Sequence, residues 1–222
     1  MIPSDSPPSP STTVAILGAG RVASALATGL TRAGRRPIIG ARQPQESAAR
    51  WTGPSVTFAA PAEAIRAAEL VIHATPGASA LAFLTGLRAE LPGKVLIDVA
   101  NATVRSEAAP LGELCYPGSS LAEQLQEALP DTRVVKTLNT MMSAVMADPQ
   151  GLSTPPTAFL SGDDPGAKAS VRALLGELGW PAEWVLDLGG VGTARGTEAL
   201  FLFVPFLVRS LGFSPFGIGV AR

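Results

Sequence analysis

One cysteine, one histidine and one tyrosine in 222 residues leave little material for thiol or metal chemistry. A lone Cys115 excludes an internal disulfide and any zinc site built from several thiolates. With only His73 available to activate it, Cys115 reads as an inert thiol rather than a nucleophile. Charge is equally scarce: charged residues are 16% of the chain, and 17 Lys+Arg against 18 Asp+Glu leave a net charge of −1. No electrostatic footprint for nucleic acid is present. The most apolar run, Ala199 to Val208, is about ten residues long and stops at Arg209. A bilayer span needs about 20. Met1 to Thr12 are rich in Pro and Ser but lack the basic start and apolar core of a secretion signal, and they read as a disordered leader. The default expectation is a cytoplasmic enzyme with no nucleic-acid or membrane partner.

Apolar residues, by contrast, reach 46%, which suggests additional surface buried in a subunit interface. The length allows one large domain or two small ones. The most informative stretch is Val14-Ala15-Ile16-Leu17-Gly18-Ala19-Gly20-Arg21-Val22-Ala23, an apolar strand running into Gly-x-Gly-x-x-Ala and a helix start. Gly18 permits a tight turn, Gly20 lets a pyrophosphate approach the backbone, and Ala23 allows close packing of helix on strand. The helix opening at Arg21 then aims its free N–H groups and positive dipole end at phosphates.

The next strand chooses between dinucleotides. An NAD site wants Asp or Glu about 20 residues beyond the first glycine to hold the adenine ribose. Here the segment reads Pro37-Ile38-Ile39-Gly40-Ala41-Arg42-Gln43, with no carboxylate before Glu46. A guanidinium at Arg42 pairs with a 2′-phosphate, with Arg21 as a second positive charge or a platform for the adenine, so the sequence points to NADP(H).

Strand-like and helical patterns then alternate. Strands are expected at Val56–Phe58, Leu70–Ala74, Lys94–Val99, Thr132–Leu138, Thr157–Ser161 and Trp184–Leu188. Helices are expected at Pro61–Ala68, Ala78–Leu91, Leu121–Leu129 and Pro165–Leu178. That rhythm predicts an α/β, Rossmann-type doubly wound parallel sheet over 13–140, followed by a small α/β portion over 141–222. Thr193 to Leu211 reads as a helix apolar nearly all round and interrupted by Pro205; it must be buried under its own sheet or against another copy.

Gly18-Ala19-Gly20-Arg21-Val22-Ala23, Ile39-Gly40-Ala41-Arg42, Val71-Ile72-His73-Ala74-Thr75-Pro76 and Gly93-Lys94-Val95-Leu96-Ile97-Asp98-Val99-Ala100-Asn101 together resemble the NADPH-dependent oxidoreductases of the coenzyme F-420 (5-deazaflavin) family. The resemblance continues through Arg133 to Thr140, Ser161 to Asp164, Leu186 to Gly189 and Arg195-Gly196-Thr197-Glu198. It implies a homodimer that moves hydride between NADP(H) and a deazaflavin stacked on the nicotinamide, chiefly by positioning two rings. It also places the 2′-phosphate at Ala19, Ala41 and Arg42, of which only the Arg is a strong ligand. On the acceptor side, Asn139 stands where characterised archaeal members have His, and Ala199 and Phe201 stand where they have small hydroxyl residues. Arg195 and Glu198 are retained.

Candidate cofactor residues are therefore Gly18, Ala19, Gly20, Arg21, Val22, Ala41, Arg42, Ala74, Thr75, Pro76, Ala100, Asn101 and Asn139. Candidates for the acceptor pocket are Asn139, Arg195, Ala199 and Phe201. Thr75-Pro76 ends a central strand at the ligand-binding edge of the sheet. His73, inside an apolar strand, reads as a hydrogen-bonded core residue rather than a proton donor. Asn139 either holds a ring with its amide or caps the next helix together with Thr140 and Ser143. Asp163-Asp164 before Pro165 read as capping groups, not a metal site. Three functions remain open: hydride transfer to coenzyme F-420; NADPH-dependent reduction of a flavin, quinone or imine; and a non-catalytic NADP(H)-binding sensor. β-Hydroxyacid dehydrogenases do not fit, because the chain lacks their long all-helical domain with its catalytic lysine.

Overall fold

A computed structural model describes residues 13–107 and 109–221. The expected leader, Met1 to Thr12, lies outside the described residues. The chain first lays down β1 (Val14–Leu17), α1 (Arg21–Arg32), β2 (Ile38–Gly40), α2 (Pro44–Ala49), β3 (Thr57–Ala59) and α3 (Pro61–Arg66). A second run gives β4 (Leu70–His73), α4 (Ala80–Thr85), β5 (Val95–Asp98), a small hairpin of β6 (Thr103–Val104) and β7 (Glu113–Leu114), α5 (Leu121–Ala128) and β8 (Arg133–Lys136). The remainder is α6 (Ser143–Ala147), β9 (Ala158–Ser161), α7 (Pro165–Glu177), β10 (Val185–Gly189), α8 (Ala194–Ala199) and α9 (Val204–Leu211).

Eight strands form one sheet in the order β10-β9-β8-β5-β4-β1-β2-β3. The chain winds outward from β1 in one direction and from β4 in the other, so the crevice between their carboxyl ends is the topological switch point of a doubly wound sheet. Pairing is parallel except between β8 and β9, which run antiparallel through Lys136 and Ser161. The C-terminal strands β9 and β10 thus extend the same sheet.

Side chains alternate across the sheet with the period of a strand. Val14, Ile16, Leu70, Ile72, Val95, Ile97 and Val135 point to the face covered by α1 and α7. Leu17, Val71, Leu96 and Val134 point to the face covered by α4 and α5. The same alternation sends His73, Asp98 and Lys136, the last residues of three adjacent strands, to that second face. Pairing aligns them, His73 with Asp98 and Asp98 with Lys136.

Several elements differ from the sequence reading. The helix expected over Ala78–Leu91 is α only from Ala80 to Thr85; beyond Gly86 the bonds run i to i−3, as in Leu87 N to Leu84 O and Glu90 N to Leu87 O, so the chain tightens into successive turns. Asp164 caps α7 as expected, accepting from the Ala167 amide at 2.6 Å. Asn139, Thr140 and Ser143 do not cap α6; its N-cap is Met142, with no side-chain bond.

The C-terminal helical stretch runs unbroken from Val191 to Leu211, 21 residues with a mean hydropathy of 1.3 over an 18-residue window. The ten-residue apolar run is therefore part of a stretch that is long and apolar enough to cross a membrane by length and composition, and its length excludes nothing. Pro205 shapes it as expected: lacking an N–H, it opens α9 after a 3₁₀ segment at Leu200–Phe203. The stretch is not buried under its own sheet. Leu202, Phe203, Phe206, Leu211 and, just beyond, Phe213 are exposed. The chain then returns to the body, where Met142 N donates to Phe216 O (2.9 Å) and Thr157 N to Ile218 O (3.0 Å).

Candidate cofactor-binding site

The turn after β1 is built as its glycines require. Gly18 has φ +113°, and a Cβ there would fall 2.7 Å from the Ala74 carbonyl oxygen. Gly20 is different: its φ is −92°, and an added Cβ would meet nothing within 4 Å. The fold needs the first glycine, whereas the second leaves open space in front of α1. Gly18→Ala should therefore destabilise the protein by about 1–3 kcal/mol. Gly20→Ala should leave stability within about 0.5 kcal/mol yet weaken NADPH binding about tenfold. Urea unfolding and NADPH fluorescence titration of both variants check this; equal stability losses would contradict it.

Helix α1 begins without a capping side chain and without an acidic residue in its first turn. Side chains cap α5 (Ser120) and α7 (Asp164), whereas α2, α4, α6, α8 and α9 begin, like α1, without one. The first-turn amides of α1 have no partner within the helix, and they open onto a cleft of about 630 Å³. An anion there would meet both the free donors and the positive end of the helix dipole.

The cleft brings together ten of the thirteen cofactor candidates. Gly18, Ala19, Gly20, Arg21 and Val22 form one wall, Ala41 and Arg42 a second, and Ala74, Thr75 and Pro76 a third. Arg21 and Arg42 are exposed and form no ion pair among the described residues. Gly40, Gln43, Ser47, Pro61, Ser79 and Phe83 also line it, and the sequence reading had not singled them out. Pro44 directly after Arg42–Gln43 was the available signal, because Pro at the first helical position opens α2 and turns Ser47 toward the same space.

Ala100, Asn101 and Asn139 lie outside the lining, on the neighbouring loops after β5 and β8. Asn101 comes close to the third wall, since a Cβ on Gly77, the residue after Pro76, would strike the Asn101 carbonyl. Asn139 is buried, and its Nδ2 donates to Asn101 Oδ1 (2.9 Å) while Asn101 Nδ2 donates to the Asn139 carbonyl (2.8 Å). The loop carrying Asn139 holds Leu138 at φ +60°, a left-handed conformation that a leucine adopts only when its surroundings impose it. The other acceptor candidates are also outside the cleft. Arg195 is ion-paired with Glu123, Ala199 is exposed, and Phe201 is half-buried.

Behind the third wall stands a buried polar row that composition alone did not disclose. His73 Nε2 is 2.6 Å from Thr75 Oγ1, and its Nδ1 is 3.0 Å from Asp98 Oδ1. Lys136 Nζ donates to Asp98 Oδ2 (2.9 Å) and to Glu198 Oε1 (2.7 Å), and also to the Ala100 carbonyl. Glu198 Oε1 also accepts from the Leu121 amide (2.9 Å). His73, Asp98, Lys136 and Glu198 are all at most 2% exposed. Burial opposes ionisation of Asp98, but Lys136 and His73 overcome it and hold its pKa at about 2. His73 is a hydrogen-bonded core residue, as expected, and it also reaches the cleft through Thr75. Cys115 lies half-buried near Glu198; burial, then that carboxylate, raises its pKa, in keeping with an inert thiol.

Comparison with known proteins agrees with this architecture. Residues 13–102 match the family model described as NADP oxidoreductase, coenzyme F420-dependent. A crystal structure from Arthrobacter sp. FB24, assigned as an F420-dependent NADP-reductase, is 38% identical, covers 95% of this chain and 100% of its own, and superposes with a TM-score of 0.86. A hypothetical protein from Sinorhizobium meliloti is 32% identical over 82% of this chain and 87% of its own, with a TM-score of 0.67. The metalloreductase STEAP3 of Rattus norvegicus is 31% identical over 189 residues, 84% of this chain. The chain spans only about a third (36%) of the length of that relative. With a glycine turn, an uncapped α1 and full-length likeness to a solved relative all in agreement, the chain belongs to the coenzyme F420-dependent NADP oxidoreductase family.

Proposed function

We propose that this protein transfers hydride between NADP(H) and a planar acceptor, and that coenzyme F-420 is that acceptor. The observation carrying the proposal is the cleft at the switch point. The free amides that open α1 and the guanidiniums of Arg21 and Arg42, which form no ion pair among the described residues, share one cleft, and no carboxylate is in its lining. Gly18 makes the tight turn and Gly20 leaves the space that a pyrophosphate needs, Arg42 would pair with the 2′-phosphate, and Thr75-Pro76 would meet the nicotinamide end. Bound NADPH would supply the hydride; the chain's own residues bind it, orient it and shield it.

Titrating the protein with NADPH and then adding coenzyme F-420, while following the absorbance of both, tests the reading. Consumption of NADPH with matching reduction of the deazaflavin is the expected result. NADPH binding without that turnover would move the acceptor to another class, such as a flavin, quinone or imine. No NADPH binding at all would end the proposal.

The exposed apolar stretch fits a homodimer, in which a second copy covers Phe203, Phe206 and Leu211. Phe206→Glu should then yield monomers or insoluble chain. A monomeric mass for the unmutated protein by light scattering at micromolar concentration would contradict this.

A further inference from the structure

Thr75 belongs both to the cleft lining and to the buried polar row. Asp98 is held ionised, so its oxygens only accept, and the His73 Nδ1 beside it must carry the hydrogen. In the neutral ring Nε2 is then bare. Thr75 Oγ1, 2.6 Å away, donates to it, and Thr75 itself lines the cleft. One added proton reverses the arrangement: Nε2–H donates to Oγ1, and the Thr75 hydrogen is freed toward the cleft. Of the charged groups in the row, Asp98 from β5 is bonded to His73, and Lys136 from β8 and Glu198 from α8 follow it in turn; on β1 His73 is paired with apolar Leu17. Two carboxylates there face one ammonium, so a second positive charge on the imidazole is compensated.

We propose that Thr75, His73 and Asp98 form a proton relay for the dinucleotide cleft, in which His73 holds the proton, Thr75 presents it to the acceptor, and Asp98, fixed by Lys136, sets the imidazole orientation. The relay rests on the hydride-transfer reading above. An acceptor that gains hydride on carbon from NADPH gains one bonding pair and one negative charge. Thr75 neutralises that charge by giving its O–H proton to the acceptor's heteroatom, and His73 replaces the proton from Nε2–H. One NADPH, one acceptor and one proton become NADP⁺ and the two-electron-reduced acceptor; the ring regains its proton through Thr75 from cleft water. His73 and Asp98 are thus positioning residues that act through Thr75.

His73 is the sole histidine, so its ring can be followed in the full chain by ¹⁵N NMR after histidine labelling, without ambiguity of assignment. The neutral ring should carry its hydrogen on Nδ1. The Nε2 resonance should shift when NADP⁺ is added and again when Thr75→Val removes its hydroxyl partner. A ring protonated on Nε2 instead, or signals indifferent to both NADP⁺ and Thr75→Val, would overturn the relay whatever the acceptor is. With NADPH and coenzyme F-420, Thr75→Val should lower kcat about a hundredfold, leave KM for NADPH within about threefold and flatten the fall in rate with rising pH. Thr75→Ser should restore both rate and pH profile; equal losses in the two variants would overturn the relay. If the unmutated chain does not turn over coenzyme F-420, the acceptor assignment fails, and the NMR result still decides the relay.

Discussion

Lys136→Met should lower the free energy of unfolding by about 3–5 kcal/mol, the cost of leaving buried carboxylates without their cation. Lys136 is the only ammonium bonded to Asp98 and Glu198 among the described residues, and all three side chains are at most 2% exposed. Urea unfolding measures the loss. Adding Glu198→Gln should recover part of it, since the amide oxygen can still accept from Leu121 N while one charge is gone. Acid sensitivity should move with stability. The folded-state pKa of Asp98 lies below its ordinary value, so its contribution is fully present above about pH 4 and fades as the pH falls from 3.8 to about 2. Without Lys136 that pKa must rise, and acid unfolding should begin at a higher pH. A loss under about 1 kcal/mol would mean that water or another cation reaches the row.

Arg42→Ala should erase most of the preference for NADPH over NADH. A hydrogen bond to a charged group contributes about 1.5–3 kcal/mol, or roughly tenfold to 150-fold in Kd. Arg42 follows β2, whose neighbours have already used the backbone: Ala41 N donates to Ala59 O, and Gly18 N to Gly40 O. The guanidinium is then the strong donor left for a phosphate on the ribose. Arg21 opens α1, whose first-turn amides are the expected pyrophosphate site, so Arg21→Ala should weaken both dinucleotides more evenly. Equal dissociation constants for NADPH and NADH in the unmutated protein would refute the assignment.

Both predictions rest on features that differ in how far the sequence discloses them. The phosphate turn was legible because its chemistry is local: Gly18, Gly20 and Ala23 act within one strand, one turn and one helix. The doubly wound order was legible from the alternation of apolar runs with helical patterns. The polar row was half-visible. Leu70-Val71-Ile72-His73, Val95-Leu96-Ile97-Asp98 and Arg133-Val134-Val135-Lys136 each end on a titratable residue, and strand alternation sends all three to one face once the register is known. Glu198 completes the row from α8, far along the chain, where no local pattern announces it. Of the two roles open for Asn139, capping α6 does not occur, and its bond to Asn101 on another loop has no local pattern to announce it. The acceptor candidates Arg195, Ala199 and Phe201 came from resemblance and lie outside the cleft lining of this chain.

The exposed apolar stretch is fastened at both ends. Before it, the Val191 amide donates to Asp163 (2.8 Å) and the buried Glu198 meets Lys136. After it, Phe216, Ile218 and Val220 are stitched to the segments at Met142 and Thr157. A strap held in this way has already surrendered most of its chain entropy during folding. Whatever settles on Phe203 and Phe206 therefore meets a surface that needs little further ordering, and each contact counts more fully toward affinity. The same fastening resists detachment: lifting the stretch away from the body as a free helix would strand Glu198 and Lys136 apart and open the hydrogen bonds of the returning chain.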